Sequence, residues 1–219
     1  MRNISGMILS SIARTCPSAR VVSNWAVKKT GTFFVSGVSL ENTADQNVFQ
    51  VWTAIKPCFL SFKHMTANYG SRHACPETLG DDGFRWNFNV SKQEKSFELE
   101  SIFKSLPDTF EGSEFLDRYN LARAGLTSDI RRLVDSMFCY LCDQQWESFE
   151  NALQSTLDFE VTYNWQDEIK KNAEALAVEV KALGYKTVRE QTLVNAQRMQ
   201  ASFLSGHQRA KAVSDQCSS

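Results

Sequence analysis

The spacing of apolar and polar residues changes character near the middle of the chain. All four prolines and six of the ten glycines lie at or before Pro107. Because proline breaks helices and glycine interrupts them, the 112 residues that follow can form long helices. The pattern predicts a mainly α protein of α+β class. It would be an antiparallel helical bundle with a small β-sheet contributed by the N-terminal half, followed by a C-terminal helical hairpin.

Extended structure is predicted in three stretches of the N-terminal half. Residues 19–40 are rich in Val, Phe and Thr, which favours strands. Residues 58–65 and 84–90 alternate apolar and polar side chains, as half-buried strands do. The intervening residues 66–83 concentrate Gly, Pro, Asn and Asp, and they predict a loop.

Two helices are predicted in the same half, each from a capping-box pattern. Thr43 with Gln46 begins a helix that ends before Pro57. Ser91 with Glu94 begins a second helix, over residues 92–105. The apolar residues assigned to the inward faces are Val48, Phe49, Trp52 and Ile55 in the first helix, and Phe97, Ile102, Phe103 and Leu106 in the second.

The C-terminal half shows helical periodicity almost throughout. Residues 113–124 predict a short helix with Gly125 directly after it. Ser128 precedes the longest periodic segment, which predicts one continuous amphipathic helix. Its apolar stripe consists of Ile130, Leu133, Val134, Met137, Leu141 and Phe149.

The last predicted elements form a helical hairpin over residues 166–204. Asn164 and Asp167 mark the beginning of its first helix, and Gly184 marks the end. Thr187 marks the beginning of the second helix.

Charge is distributed unevenly along the chain. Residues 1–40 hold five basic residues and no acidic residue, whereas the remainder holds 19 basic and 25 acidic residues. A basic, Ser-rich start is typical of a mitochondrial transit peptide, of an arm that contacts nucleic acid, or of a merely solvated N-terminus. The predicted organisation is a basic arm or targeting segment (1–18), a core domain (19–165), the hairpin (166–204) and a disordered tail (205–219). The apolar run at residues 7–13 is too short to span a membrane, and charges interrupt the later ones, so no membrane partner is expected.

The six cysteines predict reduced thiols rather than a disulfide framework, since no convincing secretory signal is present. Cys139 and Cys142 form a CxxC, and His73 with Cys75 would complete a four-ligand zinc site. The CxxC lies on the apolar stripe of a predicted helix, where cysteine packs as a small hydrophobic residue. Core packing is therefore favoured over metal binding, and no metal or other cofactor is expected.

Sequence motifs for catalysis are absent. The possible thiol nucleophiles and histidine bases are not set in a strand–turn–helix context. Neither of the glycine-rich phosphate-binding motifs occurs. We therefore predict no catalytic residue, no enzymatic activity and no small-molecule substrate. The nucleophiles and bases considered are Cys58, Cys75, His64, His73 and His207.

Two adjacent arginines near the start of the long periodic segment are candidates for nucleic-acid binding. Their guanidinium groups can contact phosphates bidentately, and Asp135, one helical turn later, can orient one of them. The alternative is an ordinary solvated helix face. The predicted nucleic-acid-binding residues are Arg131, Arg132, Asp135, Arg118 and Arg123.

These arginines lie within a series of short motifs. FRWNFNV at 84–90 leads into the capped helix, and a polar loop at 107–127 follows. Arg131-Arg132-Leu-Val-Asp135 and Phe159-Glu-Val-Thr-Tyr-Asn-Trp165 complete the series. In order and spacing, residues 84–165 resemble the coat proteins of rod-shaped plant RNA viruses, the tobamovirus-like group.

The resemblance implies a right-handed antiparallel four-helix bundle with a small sheet at one end. It also implies self-assembly into a helical rod around single-stranded RNA, in a virion or the host cytoplasm. Arg131, Arg132 and Asp135 would contact the RNA, and Arg118 and Arg123 correspond less directly. Six cysteines and the long C-terminal helical pair depart from the family pattern.

The sequence leaves two other functions open. One is a helical interaction module, in the mitochondrial matrix or the cytosol, that docks a partner through the apolar stripe of residues 166–204. The other is a small zinc-dependent module or enzyme that would use Cys139, Cys142, His73 and Cys75.

Overall fold

The structure, a computed structural model, describes six stretches of the chain. Contacts between residues divide the chain into two compact units. The sheet unit comprises residues 1–109 and 199–219, and the helical unit comprises residues 110–198. These limits do not coincide with the predicted boundaries after residues 18, 165 and 204. The described residues are 4–43, 48–59, 70–73, 85–87, 92–119 and 130–216.

The α+β class is confirmed, with more helix than strand and an antiparallel sheet from the N-terminal half. Among the described residues, no helix is long and apolar enough to cross a membrane. Six strands are described: β1 Arg20–Val22, β2 Trp25–Thr30, β3 Phe34–Asn42, β4 Val48–Pro57, β5 Gly70–His73 and β6 Arg85–Asn87. Seven helices are described: α1 Ile4–Thr15, α2 Lys92–Ser105, α3 Gly112–Tyr119, α4 Ile130–Cys142, α5 Trp146–Leu157, α6 Asn164–Leu183 and α7 Tyr185–Gln216.

The first three strands confirm the extended structure predicted for residues 19–40. Tight turns join them in antiparallel order, with Trp25 opposite Ser39 in the β2–β3 pair. Ser23 and Gly31 occupy these turns with φ values of 56° and 59°. A glycine accepts this left-handed conformation without steric cost, which explains Gly31 in the β2–β3 turn.

Strand β4 corrects the helix predicted before Pro57. Residues Val48–Pro57 pair with β3 in an antiparallel register that places Phe49 opposite Asn42 and Pro57 opposite Phe34. Val48, Val51 and Ile55 are β-branched, and the partner strand offers a hydrogen-bonded ladder along the whole segment. Residue Gln46 of the predicted capping box lies outside the described residues.

Two short strands share the far edge of β4. Strand β5 pairs with residues 51–54 of β4, and β6 pairs with residues 48–50. Strand β6 confirms the centre of the strand predicted over 84–90. Strand β5 lies inside the segment 66–83 that was predicted as a loop, so that prediction is wrong for residues 70–73. Most of the strand predicted over 58–65 lies outside the described residues.

Each face of the sheet packs against helix. On one face, Ala26, Val38 and Val51 pack with α1 and α2. The helix α1 contributes Ile8, Leu9 and Ile12 to that core, and α2 contributes Leu99, Phe103 and Leu106. On the other face, Val27, Val35 and Ala54 form a core against which Met199, Phe203 and Leu204 of α7 pack. The helix predicted over 92–105 is confirmed, but Phe97, assigned to its inward face, is 68% exposed.

Polar contacts hold the sheet to the chain that surrounds it. The buried Nζ of Lys28 donates to the carbonyl oxygen of Leu106 and to Oδ1 of Asp108, both at 2.7 Å. On the other face, Nε2 of the buried Gln200 donates to the carbonyl oxygen of Phe34. Gly37 has no room for a side chain, because a Cβ there would lie 2.7 Å from the carbonyl oxygen of Ala26.

In the helical unit, the long predicted helix is two helices. Helix α4 ends at Cys142, and α5 begins at Trp146. Gln144 adopts a φ of 60°, which ends α4 and reverses the chain. Residues Asp143, Gln144 and Gln145 lack the Gly or Pro that usually signals such a break, so the apolar periodicity concealed it.

The two predicted C-terminal helices are confirmed, but the hairpin is not, because α6 and α7 do not pack side by side. Helix α6 ends at Leu183, and Gly184 follows with a φ of 78°. Helix α7 begins at Tyr185, two residues before the predicted Thr187, and its backbone is helical as far as Gln216. The short helix predicted over 113–124 is confirmed as α3, and its predicted end at Gly125 lies outside the described residues.

Candidate nucleic-acid interface

Three of the five predicted nucleic-acid-binding residues lie on the first turns of α4. Arg131 is exposed, and Arg132 and Asp135 are half-buried. On the opposite side of the helix, Ile130, Val134 and Met137 are completely buried. The apolar stripe predicted for this helix therefore anchors α4 in the unit and directs Arg131 to the surface.

Arg131 contacts an aromatic ring from a distant part of the sequence. Its guanidinium carbon lies 4.2 Å from the centre of the Trp165 ring, which is close for a cation–π interaction. Trp165 belongs to the first turn of α6 and is 38% exposed. The contact joins the Arg-Arg…Asp motif to the Phe-Glu…Trp motif, so the two stretches meet at one surface.

Tyr163 extends this surface. Its ring lies nearly parallel to that of Trp165, with an interplanar angle of 7° and 6.4 Å between the ring centres. Tyr163 is 61% exposed. The segment before α6 is held by Gln166, whose Oε1 accepts hydrogen bonds from the backbone N–H groups of Thr162 and Tyr163 at 2.7 and 3.0 Å. Because Gln166 is itself buried, the two aromatic residues are presented by a fixed turn.

The charges near this surface are mixed. Nζ of Lys170 donates to the carbonyl oxygen of Phe159 at 3.2 Å, which places a second cation beside the same segment. Asp167 is paired with Lys171 at 2.7 Å, and the pairing raises the pKa of Lys171. Glu160 is exposed. The surface around Arg131 therefore carries charges of both signs.

The remaining predicted binding residues are Arg118 and Arg123. Arg118 is exposed on α3, and its guanidinium carbon lies 5.3 Å from the centre of the Phe110 ring. Arg123 lies outside the described residues.

The CxxC motif lies in the core of the helical unit. Cys139 and Cys142 are free thiols, with exposed fractions of 0% and 4%. Burial is the main cause that raises the pKa of Cys142 to about 12, and it raises the pKa of Cys139 well above the usual value. Burial favours the neutral thiol at both positions, which suits the core packing that the sequence favoured.

The other residues considered for zinc are His73, Cys75 and His64. His73 lies in β5 of the sheet unit, where its Nε2 is 2.9 Å from the hydroxyl oxygen of Thr53. Burial lowers the pKa of His73. Cys75 and His64 lie outside the described residues. Within the described part of the chain, no group of three or more His, Cys, Asp or Glu side chains is placed to hold a metal ion.

Polar contacts close the end of α4 that is opposite Arg131. Nε of Arg189 donates to the carbonyl oxygen of Cys142 at 2.7 Å, which satisfies a carbonyl that the helix leaves open. The Asp143 carboxylate lies against Gly112, where an added Cβ would be 2.8 Å from Oδ2. Burial raises the pKa of Asp143, although a hydrogen bond from the backbone N–H of Ser113 lowers it in part. These contacts connect α3, α4 and α7, and they are structural.

The apolar stripe predicted for residues 166–204 is covered in part by the chain itself. Ala173 and Val188 have exposed fractions of 0% and 1%, and Leu176 has 6%. At the junction of the two helices, Tyr185 stacks on Trp146 with 5.2 Å between ring centres and donates its hydroxyl to Glu150. Part of the stripe through which the alternative function would dock a partner is thus used in folding. Val178, Leu183 and Val194 remain exposed.

Comparison of the chain with protein-family models, with curated proteins and with solved structures gave no match.

Sequence reasoning did not assign Tyr163 and Trp165 to a binding site. Both were quoted only as part of a motif in the resemblance. One local signal indicated an exposed ring. Two aromatic residues at the start of a helix cannot both lie on the face that the helix buries. Their exposure, and the contact of Trp165 with Arg131, required the packing of α6 against α4.

Proposed function

We propose that this protein is a structural, self-assembling subunit that coats single-stranded RNA and catalyses no reaction. The observation that carries this proposal is the contact between Arg131 and Trp165. It brings together the two motifs of the C-terminal half on which the resemblance to rod-shaped plant virus coat proteins depends. It also holds an exposed guanidinium at the surface, where a phosphate can reach it.

In this proposal, each subunit contacts few phosphates. Arg131 binds the RNA backbone, Arg132 adds positive charge in the same helical turn, and Asp135 orients one of the two guanidinium groups. A chain with a net charge of −1 can bind RNA in this way because many copies bind the same strand cooperatively. Arg118 and Arg123 supply additional contacts.

The finer architecture belongs to the same proposal. The helices would form a right-handed antiparallel four-helix bundle, and the subunits would associate into a helical rod. The protein would then be located in a virion or in the host cytoplasm.

Electron microscopy of negatively stained protein, with and without single-stranded RNA over a range of pH, tests the proposal. We expect rods, discs or filaments, and longer particles when RNA is present. Uniform small particles under every condition, together with no RNA binding, would contradict it.

A substitution then tests the surface. Arg131→Ala should weaken RNA binding and should leave the fold intact, because Arg131 is exposed. The matched control is Arg198→Ala, which removes an exposed arginine from α7 of the same unit. If the two variants bind RNA with equal affinity, Arg131 is not part of the RNA contact.

A further inference from the structure

The exposed rings of Tyr163 and Trp165 are the strongest unexplained feature of the described surface. Most large aromatic side chains in the described part of the chain are buried, including Phe110, Phe115 and Phe149 of the same unit, at 3%, 0% and 0% exposure. Tyr163 and Trp165 are 61% and 38% exposed. Exposed apolar area is costly unless a ligand covers it, so two adjacent exposed rings need an explanation that packing does not provide.

We propose that Tyr163 and Trp165 form a stacking platform for unpaired bases of single-stranded RNA. This inference deepens the proposed function and rests on it. It assigns base contact to two residues beside the phosphate contact of Arg131. The ligand chemistry is a planar, unpaired nucleobase linked to a phosphate on its 5′ or 3′ side.

The geometry of the rings carries the inference. With an angle of 7° between their planes, the two rings present nearly parallel faces. One contact of Trp165 is the Arg131 guanidinium at 4.2 Å, and Tyr163 is the more exposed ring. A base therefore stacks first on Tyr163. Aromatic stacking of this kind binds every base, because every base has a π-face.

The position of the cation supports RNA over an apolar ligand. Arg131 keeps a positive charge within 4.2 Å of the aromatic platform, and Lys170 contacts the backbone of Phe159 in the same segment. A guanidinium stacked on a ring holds its N–H groups in a defined plane, as bidentate phosphate binding requires. Aromatic rings beside a guanidinium match the alternation of base and phosphate along a single strand.

Rigidity is the third support. The buried Gln166 holds the backbone of Thr162 and Tyr163 by hydrogen bonds of 2.7 and 3.0 Å. Arg131 restrains the Trp165 ring from α4. A preorganised platform loses little side-chain entropy when a base stacks on it, which favours binding.

The test uses the full-length protein and three fluorescently labelled oligonucleotides of equal length: single-stranded RNA, an abasic strand with the same phosphates, and duplex RNA. Fluorescence anisotropy measures each Kd. We expect the wild-type protein to bind the base-bearing single strand about tenfold or more tightly than the abasic strand, since stacking on one aromatic residue contributes about 5- to 100-fold. Duplex RNA should bind weakly, because its bases are already stacked.

Variants locate the effect. Tyr163→Leu should lose about tenfold in affinity for the base-bearing strand and almost nothing for the abasic strand. Tyr163→Phe should retain the wild-type preference because it keeps the ring. The matched control is Phe97→Leu, which removes an exposed aromatic ring, 68% exposed, from α2 of the sheet unit. It should bind all three probes as the wild type does.

The outcomes distinguish this inference from the proposed function. If the wild type binds the single strand and its abasic equivalent equally, or if Tyr163→Leu loses nothing, the platform is wrong while RNA binding through Arg131 stands. If the wild type binds none of the probes, the proposed function fails and the platform fails with it, and the exposed rings become a contact for a protein partner. Circular dichroism of each variant confirms that a lost affinity is not a lost fold.

Discussion

The two units of this protein use their aromatic residues differently. In the sheet unit, Trp25, Phe34 and Trp86 are at most 4% exposed and fill the cores on the faces of the sheet. In the helical unit, phenylalanines fill the core, but Tyr163 and Trp165 remain at the surface beside an arginine. Apart from the exposed Phe97, the sheet unit buries most of its large aromatic residues, whereas the helical unit leaves two neighbouring rings at the surface.

The two units also differ in the exposure of the cations that the structure singles out. Lys28 of the sheet unit is buried, and its ammonium group serves the chain by bonding to Leu106 and Asp108. Arg131 of the helical unit is exposed. A cation that is buried in the fold is unavailable to a polyanion, whereas an exposed cation can contact one.

The largest expected effect tests whether the helical unit has a closed core in spite of its exposed rings. Phe149 is completely buried and meets the Tyr185 ring edge-on, with 5.9 Å between centres. Phe149→Ala should lower the free energy of unfolding by about 3–5 kcal/mol, because it leaves a cavity. Urea unfolding followed by circular dichroism measures the change. Val178→Ala, at a position 67% exposed, should change it by less than about 0.5 kcal/mol.

A second substitution tests how closely strands β2 and β3 pack around Gly37. Gly37→Val should destabilise the protein by about 3 kcal/mol, because its side chain would collide with the backbone of Ala26. Gly184→Ala is a useful contrast, since nothing lies within 4 Å of an added Cβ there and only its φ of 78° opposes the change. We expect a cost of about 1 kcal/mol for it. If both substitutions lower the free energy of unfolding equally, the sheet around Gly37 adjusts to a side chain more readily than the short distance to Ala26 indicates.

The buried lysine provides the next effect in size. Lys28→Met keeps much of the apolar stem but removes the donor to the Leu106 carbonyl, so we expect a loss of about 1–3 kcal/mol in the free energy of unfolding. Thermal and urea unfolding both report it. The surface pair of Lys104 with Glu100 is the control, and Lys104→Met should have no measurable effect. If Lys28→Met leaves the free energy of unfolding unchanged, the sheet unit does not depend on the ammonium group.

The smallest effect concerns pH. Burial lowers the pKa of His73 below 6.5, so the unfolded chain binds more protons than the folded protein as the pH falls below that value. The contribution of His73 to stability is therefore full above pH 6.5 and decreases as the pH falls through 6.5 toward the folded pKa. Urea unfolding of wild type and His73→Gln between pH 5 and pH 8 should show a slightly steeper loss for the wild type below about pH 6.5. If the free energy of unfolding of the two proteins changes with pH in parallel, protonation of His73 does not cause the loss of stability.

The sequence predicted those elements whose local signals agree with their packing. Residues 19–40 are β-branched and aromatic, and they form strands. Gly184 ends α6 because a glycine accepts the left-handed conformation at a helix end. At these positions, intrinsic preference and tertiary contact require the same structure.

The failures occurred where two patterns were equally consistent with the residues. Phe49 and Trp52 are spaced for a helix, yet Phe49 with Val51 also alternates as a strand does, and the neighbouring β3 decided the outcome. At Gln144 a positive φ divides one predicted helix into two, without glycine to signal it. Phe97 fits the apolar stripe of α2 by spacing, but the core formed around Leu99 and Phe103 instead.

The candidate site shows the same division. The sequence by itself determined that Arg131 and Arg132 begin an amphipathic helix and that its apolar stripe is buried, because helical periodicity separates the two faces. Only the tertiary structure placed Trp165 under Arg131 and left Tyr163 exposed, since that depends on how α6 packs beside α4. Contacts between residues distant in sequence follow from the fit of whole surfaces, and no local pattern encodes that fit.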